Sequence, residues 1–478
     1  MKILFLVPPP LDGALPAERI FGCNYGIYHQ PNIFILYPAT ILQQAGHPVT
    51  VLDFPVTGTT EVDFLDLCSH HEFDLIVFYT VFLSRTTDLL ARDRLSAANP
   101  ATRFLFLATE PSANPGDFLD ERSIVIRGEP EAVVLPLVER LAAGRSLADL
   151  AGISWQQDGQ PQHNPGAGVI GDLDALPFPD RGLLPPGNYH NPKLSRLPFT
   201  TMIASRGCSF GCIYCVPNSL DFAREIAFKQ EHHQGKPPVR LRSAANVVAE
   251  FTQLARQGYR SISFIDDQFV WGRERTLEIC AGLTGLEVEW SCLARSDMLQ
   301  DPEVALAMGR AGCRYVDIGI ESFNQAILDD IGKGCRVESV YSAVANLKRA
   351  GIEPELNILI GASPLETEET IEQTFQEALR LDVDYILFSV CTPFPYTEFN
   401  RRAKAAGWMI KEEYEAIDPI KESFISYPHL PKERLDRIIR QLYRRYYFRP
   451  AYLWKRLRKL EGLRDLVNKA RAALSILR

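Results

Sequence analysis

Two runs of strand–helix alternation, separated by a stretch dense in Gly, Pro and Asp, constrain this 478-residue chain more than any other feature. In residues 1–150, apolar runs at 2–7, 49–53, 74–79, 104–108 and 124–126 read as strands. Helical periods fill 37–45, 86–98 and 130–143 between them. Such alternation predicts an open parallel sheet with helices on both faces. Ligands of such sheets bind at the carboxyl ends of strands, which places 7–10, 79–82 and 108–112 beside any site. Residues 158–186 show no apolar period and read as linker. From 199 the alternation restarts, with strands at 199–205, 261–265, 287–292, 315–320, 355–361 and 385–391. Helices at 244–257, 274–283, 303–311, 337–350 and 367–381 separate them, so six βα units predict a partial barrel. Active groups of parallel barrels gather at strand ends.

The first barrel strand runs into Ala204-Ser-Arg-Gly-Cys208-Ser-Phe-Gly-Cys212-Ile-Tyr-Cys215. A [4Fe–4S] cube normally takes four thiolates. Here C-x3-C-x2-C supplies three, which leaves one iron open to another ligand. Gly207 and Gly211 let the backbone fold closely around such a cube. A zinc site completed by a distant His is the plainer alternative, although zinc knuckles usually carry two C-x2-C pairs. A disulfide would need an oxidising compartment. The other seven cysteines are scattered without pairing, and Cys280, Cys292, Cys313, Cys335 and Cys391 have no metal spacing and read as small hydrophobes.

With Tyr214 before its last cysteine, the motif resembles the signature of radical S-adenosylmethionine (SAM) enzymes. The resemblance extends over about 195–407 through Ile265-Asp-Asp-Gln-Phe269, Ala294-Arg295, Gly319-Ile-Glu-Ser322, Ile331-Gly-Lys-Gly334, Pro364-Leu-Glu-Thr-Glu-Glu369 and Thr392-Pro-Phe-Pro395. It implies a [4Fe–4S] cluster on Cys208, Cys212 and Cys215, with Tyr214 in the same loop. The fourth iron would be chelated by SAM, and an electron from the reduced cluster would break its S–C5′ bond. The resemblance implies Asp266 and Asp267 at the SAM amino group and Arg295 at its carboxylate. It implies Glu321 at the ribose hydroxyls and Gly361 opening the backbone to the adenine edge. Taken alone, a strand-end carboxylate is as often a helix N-cap as a ligand. Glu366, just before a helix, reads as helix-start charge.

The N-terminal third resembles the cobalamin-binding domain that precedes this core in one large subfamily. The shared phrases are Tyr37-Pro-Ala…Gly46-His47, Val51-Leu-Asp53 and Arg127-Gly-Glu-Pro-Glu131. The D-x-H-x-x-G motif whose His ligates cobalt is missing, which implies cobalamin held without a His ligand. Where Gly-Gly-x-His is frequent, this chain has Ala108-Thr-Glu-Pro111. Tyr79 and Thr80, closing the third strand, are the candidates facing the cofactor. His47, His70 and His71 read as surface histidines. Methylthiotransferases, a related branch, carry three N-terminal cysteines, and this chain has only Cys23 and Cys68 there.

The resulting expectation is an α/β protein: a Rossmann-like cobalamin-binding domain (1–150), a linker (151–194), a partial (β/α)6 radical SAM core (195–407) and a basic helical C-terminal cap (408–478). The implied reaction is cobalamin-dependent methylation of an unactivated carbon. Oxidative cyclisation or rearrangement of a tetrapyrrole, lipid or secondary metabolite is the alternative, and a non-catalytic cluster and cobalamin sensor a second. An external reductant such as flavodoxin or ferredoxin would supply electrons. No apolar run reaches the roughly 20 residues of a membrane helix. The first residues read as a strand rather than a signal peptide. Together with unpaired cysteines these features predict a cytoplasmic protein. A net charge of −8 argues against nucleic acid as a partner. That charge is unevenly placed: 432–478 holds 15 Lys/Arg against 4 Asp/Glu, a balance of +11, which leaves −19 on the rest. Leu435, Ile438, Leu442, Tyr446, Leu453, Leu457, Leu460, Leu463 and Val467 recur there at helical spacing. A basic amphipathic helix can make peripheral contact with an anionic membrane or hold an acidic substrate; it can equally be a packed helical cap with a solvated face. The run Tyr443-Arg-Arg-Tyr-Tyr-Phe-Arg-Pro450 could also line the site against a flat or lipid-like substrate.

Overall fold

The computed structural model describes all residues except 14–16, 22–27, 186, 233–234, 411–421 and 459–478. Cys23, Leu460, Leu463 and Val467 therefore lie outside the described residues. The described chain forms two compact units, one of Met1–Ser209 and Val216–Asp267, the other of Phe210–Cys215 and the described residues from Gln268 onward.

The first unit is built on a seven-stranded sheet. Its strands are β1 (Ile3–Val7), β2 (Val49–Asp53), β3 (Leu75–Tyr79), β4 (Arg103–Leu107), β5 (Ser123–Ile126), β6 (Ile153–Gln157) and β7 (Gln160–His163). They lie in the order β2-β1-β3-β4-β5-β6-β7, and β1 to β5 are parallel. Successive side chains of a strand face opposite ways. Phe5, Val77 and Leu105 accordingly pack with helices α1 (Ile33–Gln44) and α4 (Val134–Ala142). Leu6, Phe78 and Phe106 pack on the other face with α2 (Glu61–His70) and α3 (Arg85–Ala98). Burial on both faces is why the strands read as continuous apolar runs. β6 and β7 add an antiparallel hairpin where the sequence reading places the start of the linker. Asp158 and Gly159 form its turn, both with positive φ (50° and 74°), as a two-residue hairpin of the I′ type requires.

The same unit holds β8 (Phe199–Met202), paired in parallel with β11 (Ser261–Phe264). Between them come β9 (Ser205–Arg206) and β10 (Arg240–Leu241), which pair antiparallel, and helices α5 (Ser219–His232) and α6 (Ala244–Arg256). The second unit carries β12 (Glu289–Ala294), β13 (Cys313–Glu321), β14 (Glu353–Ile360) and β15 (Tyr385–Val390), joined in parallel register. Between the strands run α7 (Arg273–Leu283), α8 (Pro302–Arg310), α9 (Glu338–Arg349) and α10 (Glu368–Leu381). β12 starts two residues later than expected because Gly285 and Glu287 both have positive φ, which keeps the turn before it from joining the strand. After β15 come α11 (Glu398–Ala405), α12 (Lys432–Tyr447) and α13 (Pro450–Arg458).

The aromatic and arginine run near the C-terminus covers a sheet edge. β15 pairs on one side with β14. On its other side, the Tyr443 hydroxyl accepts the Phe388 N–H (3.1 Å) and donates to the Phe388 carbonyl (2.8 Å). Tyr447 does the same at Ile386, at 2.9 and 2.7 Å. Four helical residues advance about 6 Å and two strand residues about 6.6 Å, so one tyrosine per turn matches alternate strand residues. Edge groups that would otherwise template aggregation are thereby satisfied. Arg445 pairs with Glu372 (2.6 Å) and Arg434 with Glu368, both on α10, so α12 is a packed cap with a basic outer face.

Candidate functional site: the cysteine segment and its surroundings

In the first unit, the strand leading into Cys208 is held by charge. Arg206 is 1 % exposed, pairs with Glu131 and Glu129, and stands 5.2 Å from the Tyr37 ring centre. Arg240 also binds Glu129 (2.9 Å). Burial opposes ionisation of Glu129, yet the two arginines outweigh it and hold its carboxyl down at about 2. The phrase Arg127-Gly-Glu-Pro-Glu131 thus has a physical reason here: its two carboxylates fix the residue two before Cys208. Arg242 and Arg181 share Glu250 in a second buried set. Gly207 has φ +93°, which favours glycine, and a Cβ there would also push aside the Arg224 guanidinium. At Gly211 a Cβ would meet nothing.

Asp266 is fully buried and accepts the Ala204 N–H at 3.0 Å; it braces the cysteine-bearing strand. Asp267 accepts the Asn218 backbone N–H (2.8 Å) and side-chain amide (3.0 Å), while its Oδ2 is buried with no hydrogen-bond partner. Burial, then the Asp221 carboxylate, push the Asp267 pKa well up. Of the pair, Asp267 is the one with an oxygen to offer. Asn218 and Asp221 stand at the start of α5, a helix the sequence reading omits although Pro217-Asn218 with Asp221 is a start signal.

Tyr79 and Thr80 do not face outward. The Tyr79 hydroxyl meets Ser219 Oγ at 2.8 Å, and Thr80 donates to Asp88 (2.8 Å), which also receives both arms of Arg19 at 2.7 Å. Those bonds engage the hydroxyls of both side chains within the unit. What lies at the strand ends is a small crevice, with enclosed room for about one water, lined by Pro8, Pro9, Pro10, Arg19, Ser84 and Thr87. It sits where the order reverses between β1 and β3, the usual ligand place of such sheets. Ala108, at the end of β4, has φ 81° and ψ −153°, a region normally reserved for glycine. The surface reading of His71 is corrected: it is 8 % exposed and stacked on Phe73, and burial pushes its pKa down.

In the second unit, Phe210–Cys215 is clamped from three sides. Ile213 donates its N–H to the Ile331 carbonyl (3.0 Å) and accepts the Phe399 N–H (2.9 Å). Gly332 has φ +67°, and a Cβ there would press on the Gly211 carbonyl at 2.7 Å. Phe210 lies between Trp271 (ring centres 6.2 Å) and the Arg295 guanidinium (3.5 Å from its ring centre). Arg295, just past β12, pairs bidentately with Asp297 (3.0 Å twice) and donates to the Lys333 carbonyl (2.9 Å). A SAM carboxylate would have to compete with Asp297 for the same guanidinium edge. Glu321 closes β13 with φ +60° at a register shift against β14, and accepts Lys333 Nζ at 2.8 Å. Burial alone would lower the Lys333 pKa, but the Glu321 carboxylate and then Cys212 outweigh it and raise it. Burial chiefly, then Glu321, which also hydrogen-bonds it, raise the Tyr214 hydroxyl well above its usual range. Lys333 was missed in the sequence; its signal was the Gly-Lys-Gly setting of Ile331-Gly-Lys-Gly334.

Gly361 follows β14 with φ +75°, packed under Ile425 and Leu435. Its N–H is held by Glu366 and its carbonyl by the Tyr427 hydroxyl (3.0 Å). Both backbone groups expected to reach an adenine edge therefore have partners inside the unit. Glu366 is no exposed helix-start charge: it is 1 % exposed, Thr367 caps α10 instead, and burial raises the Glu366 pKa to about 8.

The donor chemistry fits a [4Fe–4S] cube. Cys208, Cys212 and Cys215 are in no disulfide and are partly exposed, whereas the six other described cysteines are buried. Among the described residues no group of three His, Cys, Asp or Glu is gathered tightly enough for one metal ion. A cubane is wider than an ion, so its thiolates stand farther apart. No helix of the described residues is long and apolar enough to cross a membrane.

Comparison with known proteins agrees with this geometry. Residues 202–378 match the Radical SAM superfamily. An uncharacterized methyltransferase of Pyrococcus horikoshii is 29 % identical over 466 residues, 95 % of this chain and 94 % of that protein. An anaerobic magnesium-protoporphyrin IX monomethyl ester cyclase of Rubrivivax gelatinosus is 28 % identical over 345 residues; these span 69 % of this chain but only 57 % of the cyclase. Among solved structures, the radical SAM methyltransferase TsrM from Kitasatospora setae, bound to tryptophan and a SAM analogue, superposes with TM-score 0.65 at 18 % identity, covering 91 % of this chain and 81 % of TsrM. The chain therefore carries a domain of the radical SAM superfamily, set within an α/β fold like that of TsrM.

Proposed function

We propose that the chain is a radical SAM methyltransferase that converts an unactivated C–H bond of a small-molecule substrate into C–CH3. The observation that carries this reading is the segregation of cysteines: the three of C-x3-C-x2-C are partly exposed in a matched radical SAM domain, and the other described cysteines are buried. In this reading Cys208, Cys212 and Cys215 hold the [4Fe–4S] cluster, which supplies the electron that cleaves SAM, itself drawn from a flavodoxin- or ferredoxin-like reductant. Asp267 offers its unpartnered Oδ2 to the SAM amino group. Arg295 exchanges Asp297 for the SAM carboxylate, and Glu321, held by Lys333, meets the ribose hydroxyls. Asp266, Tyr214, Gly361, Tyr79 and Thr80 act as supports, since their polar groups are engaged within the protein.

Two molecules of SAM and two electrons from the reductant balance the reaction. One SAM gives the methyl group and leaves as S-adenosylhomocysteine, and the other gives methionine and the radical that takes the substrate hydrogen as 5′-deoxyadenosine. The second electron restores the methyl carrier. Cobalamin, when bound, would supply the methyl carrier; TsrM is a methyltransferase solved with cobalamin and a [4Fe–4S] cluster bound. Ala108 keeps a glycine-like backbone beside the strand ends, where ligands of such sheets usually bind. The substrate class we propose is a planar aromatic ring system, the feature common to the tetrapyrrole of the cyclase relative and the tryptophan bound to TsrM.

Likeness to the cyclase favours oxidative ring closure as a second reading. Methyl-labelled SAM separates the two. Label in the product supports methylation, and unlabelled product with 5′-deoxyadenosine formed supports cyclisation.

A further inference from the structure

Arg224, on α5, is 3 % exposed, and its Nε and Nη1 are buried with no hydrogen-bond partner. Every other buried arginine among the described residues donates hydrogen bonds to carboxylates or carbonyls: Arg19, Arg181, Arg206, Arg240, Arg242 and Arg295. The ionic neighbour of Arg224 is Asp221, whose Oδ1 stands 3.7 Å from Nη1. That spacing gives attraction without a hydrogen bond. Leaving the donors of a buried cation unfilled is costly, and an exception of this kind calls for an acceptor.

The helix that carries Arg224 is fixed within the first unit. Ser219, which opens α5, donates to the Arg19 carbonyl (2.7 Å), and its own carbonyl accepts the Thr109 hydroxyl (3.0 Å). Gly128, with φ +77°, lets the helix lie close: a Cβ there would meet Ala227 at 3.3 Å. The Arg224 guanidinium reaches the space beside Gly207, where a Cβ would displace it. Gly207 directly precedes Cys208, so the chain omits a side chain next to its first motif cysteine and seats a cation there. Asp221 is meanwhile tied elsewhere, since Asn218 Nδ2 bridges it to Asp267 (2.8 and 3.0 Å). Thiolates and the sulfides of an iron–sulfur cube are anionic acceptors, and hydrogen bonds to those sulfurs help set the cluster's potential.

Resting on the reading that Cys208 holds a cluster, we propose that Arg224 binds that cluster, its guanidinium donating to sulfur at the Cys208 corner and favouring the reduced state. The test uses full-length protein reconstituted anaerobically with iron and sulfide, its midpoint potential read by EPR-monitored redox titration. Arg224→Met should still take up about four irons but hold the electron about tenfold less well, a fall of about 59 mV for a one-electron couple. Arg224→Lys keeps the charge and should stay within about threefold of wild type. Gly207→Ala keeps the arginine but pushes its guanidinium aside, so it should lower the potential too. An unchanged potential in Arg224→Met, or in Gly207→Ala where Arg224→Met does not fold, would overturn the proposal and leave Arg224 as the partner of Asp221 alone. A fall in Arg224→Lys as large as that in Arg224→Met would also overturn it, because packing rather than charge would then set the potential. Wild type that takes up no iron would overturn the cluster reading and this proposal with it.

Discussion

Two buried arginines, one in each unit, are placed close in sequence or in space to the cysteine segment, and they are held in opposite ways. Arg206 meets two carboxylates from a distant loop and lies under an aromatic ring. Arg295 meets one carboxylate two residues along, in a side chain that is 21 % exposed, and leans on Phe210. A buried pair with distant partners fixes a strand, and its loss strands a charge. A local, partly solvated pair can trade its carboxylate for one on a ligand. The first unit thus uses charge to build, and the proposed function has the second keep charge ready to bind.

Four changes test that contrast, in falling order of effect. Arg206→Met, which leaves Glu129 and Glu131 buried without that partner, should cost about 3–5 kcal/mol in denaturant unfolding. A loss below about 1 kcal/mol would remove the scaffold reading. Arg295→Met should be far milder for folding yet lower SAM affinity about tenfold or more by calorimetry on reconstituted protein. Equal SAM affinity would put Arg295 among the scaffold residues.

Glu366 extends the comparison to pH. Its folded pKa of about 8 lies above the ordinary 4.5, so the folded chain holds a proton the unfolded chain has lost. Its contribution is complete below pH 4.5 and falls as pH rises towards 8, by up to about 1.4 kcal/mol per unit. Glu366→Gln should remove that slope from unfolding curves measured between pH 5 and 8, whereas an unchanged slope would mean the carboxyl is solvated. The smallest effect is Ala108→Gly, expected to stabilise by about 1 kcal/mol, since relieved strain exceeds glycine's entropy cost. Destabilisation would show that the methyl group packs usefully there.

Much of this was legible in the sequence wherever one pattern governed. Parallel strands buried on both faces read as apolar runs, and the cysteine spacing with Tyr214 carried a family resemblance that the match over 202–378 bears out. The hairpin of β6 and β7 was missed because Asp158-Gly159 was taken as linker composition, although that dipeptide between short strands is a turn signal. Thr60-Glu-Val-Asp63 opens α2 with a reciprocal cap that was likewise available: Thr60 N–H meets Asp63 at 2.7 Å. The partners of Arg206, the burial of Glu366 and the seat of Arg224 beside Gly207 were not available. They depend on which distant segments meet, and sequence spacing carries no record of that.

The central claim is that the cysteine segment holds a [4Fe–4S] cluster with one iron left for SAM. Anaerobic reconstitution with iron and sulfide, followed by reduction and EPR with and without SAM, tests it most directly. The account predicts about four irons per chain and a reduced-cluster signal that changes when SAM is added, both lost in Cys212→Ser. A signal indifferent to SAM, or a chain that takes up one zinc and no iron, would contradict it.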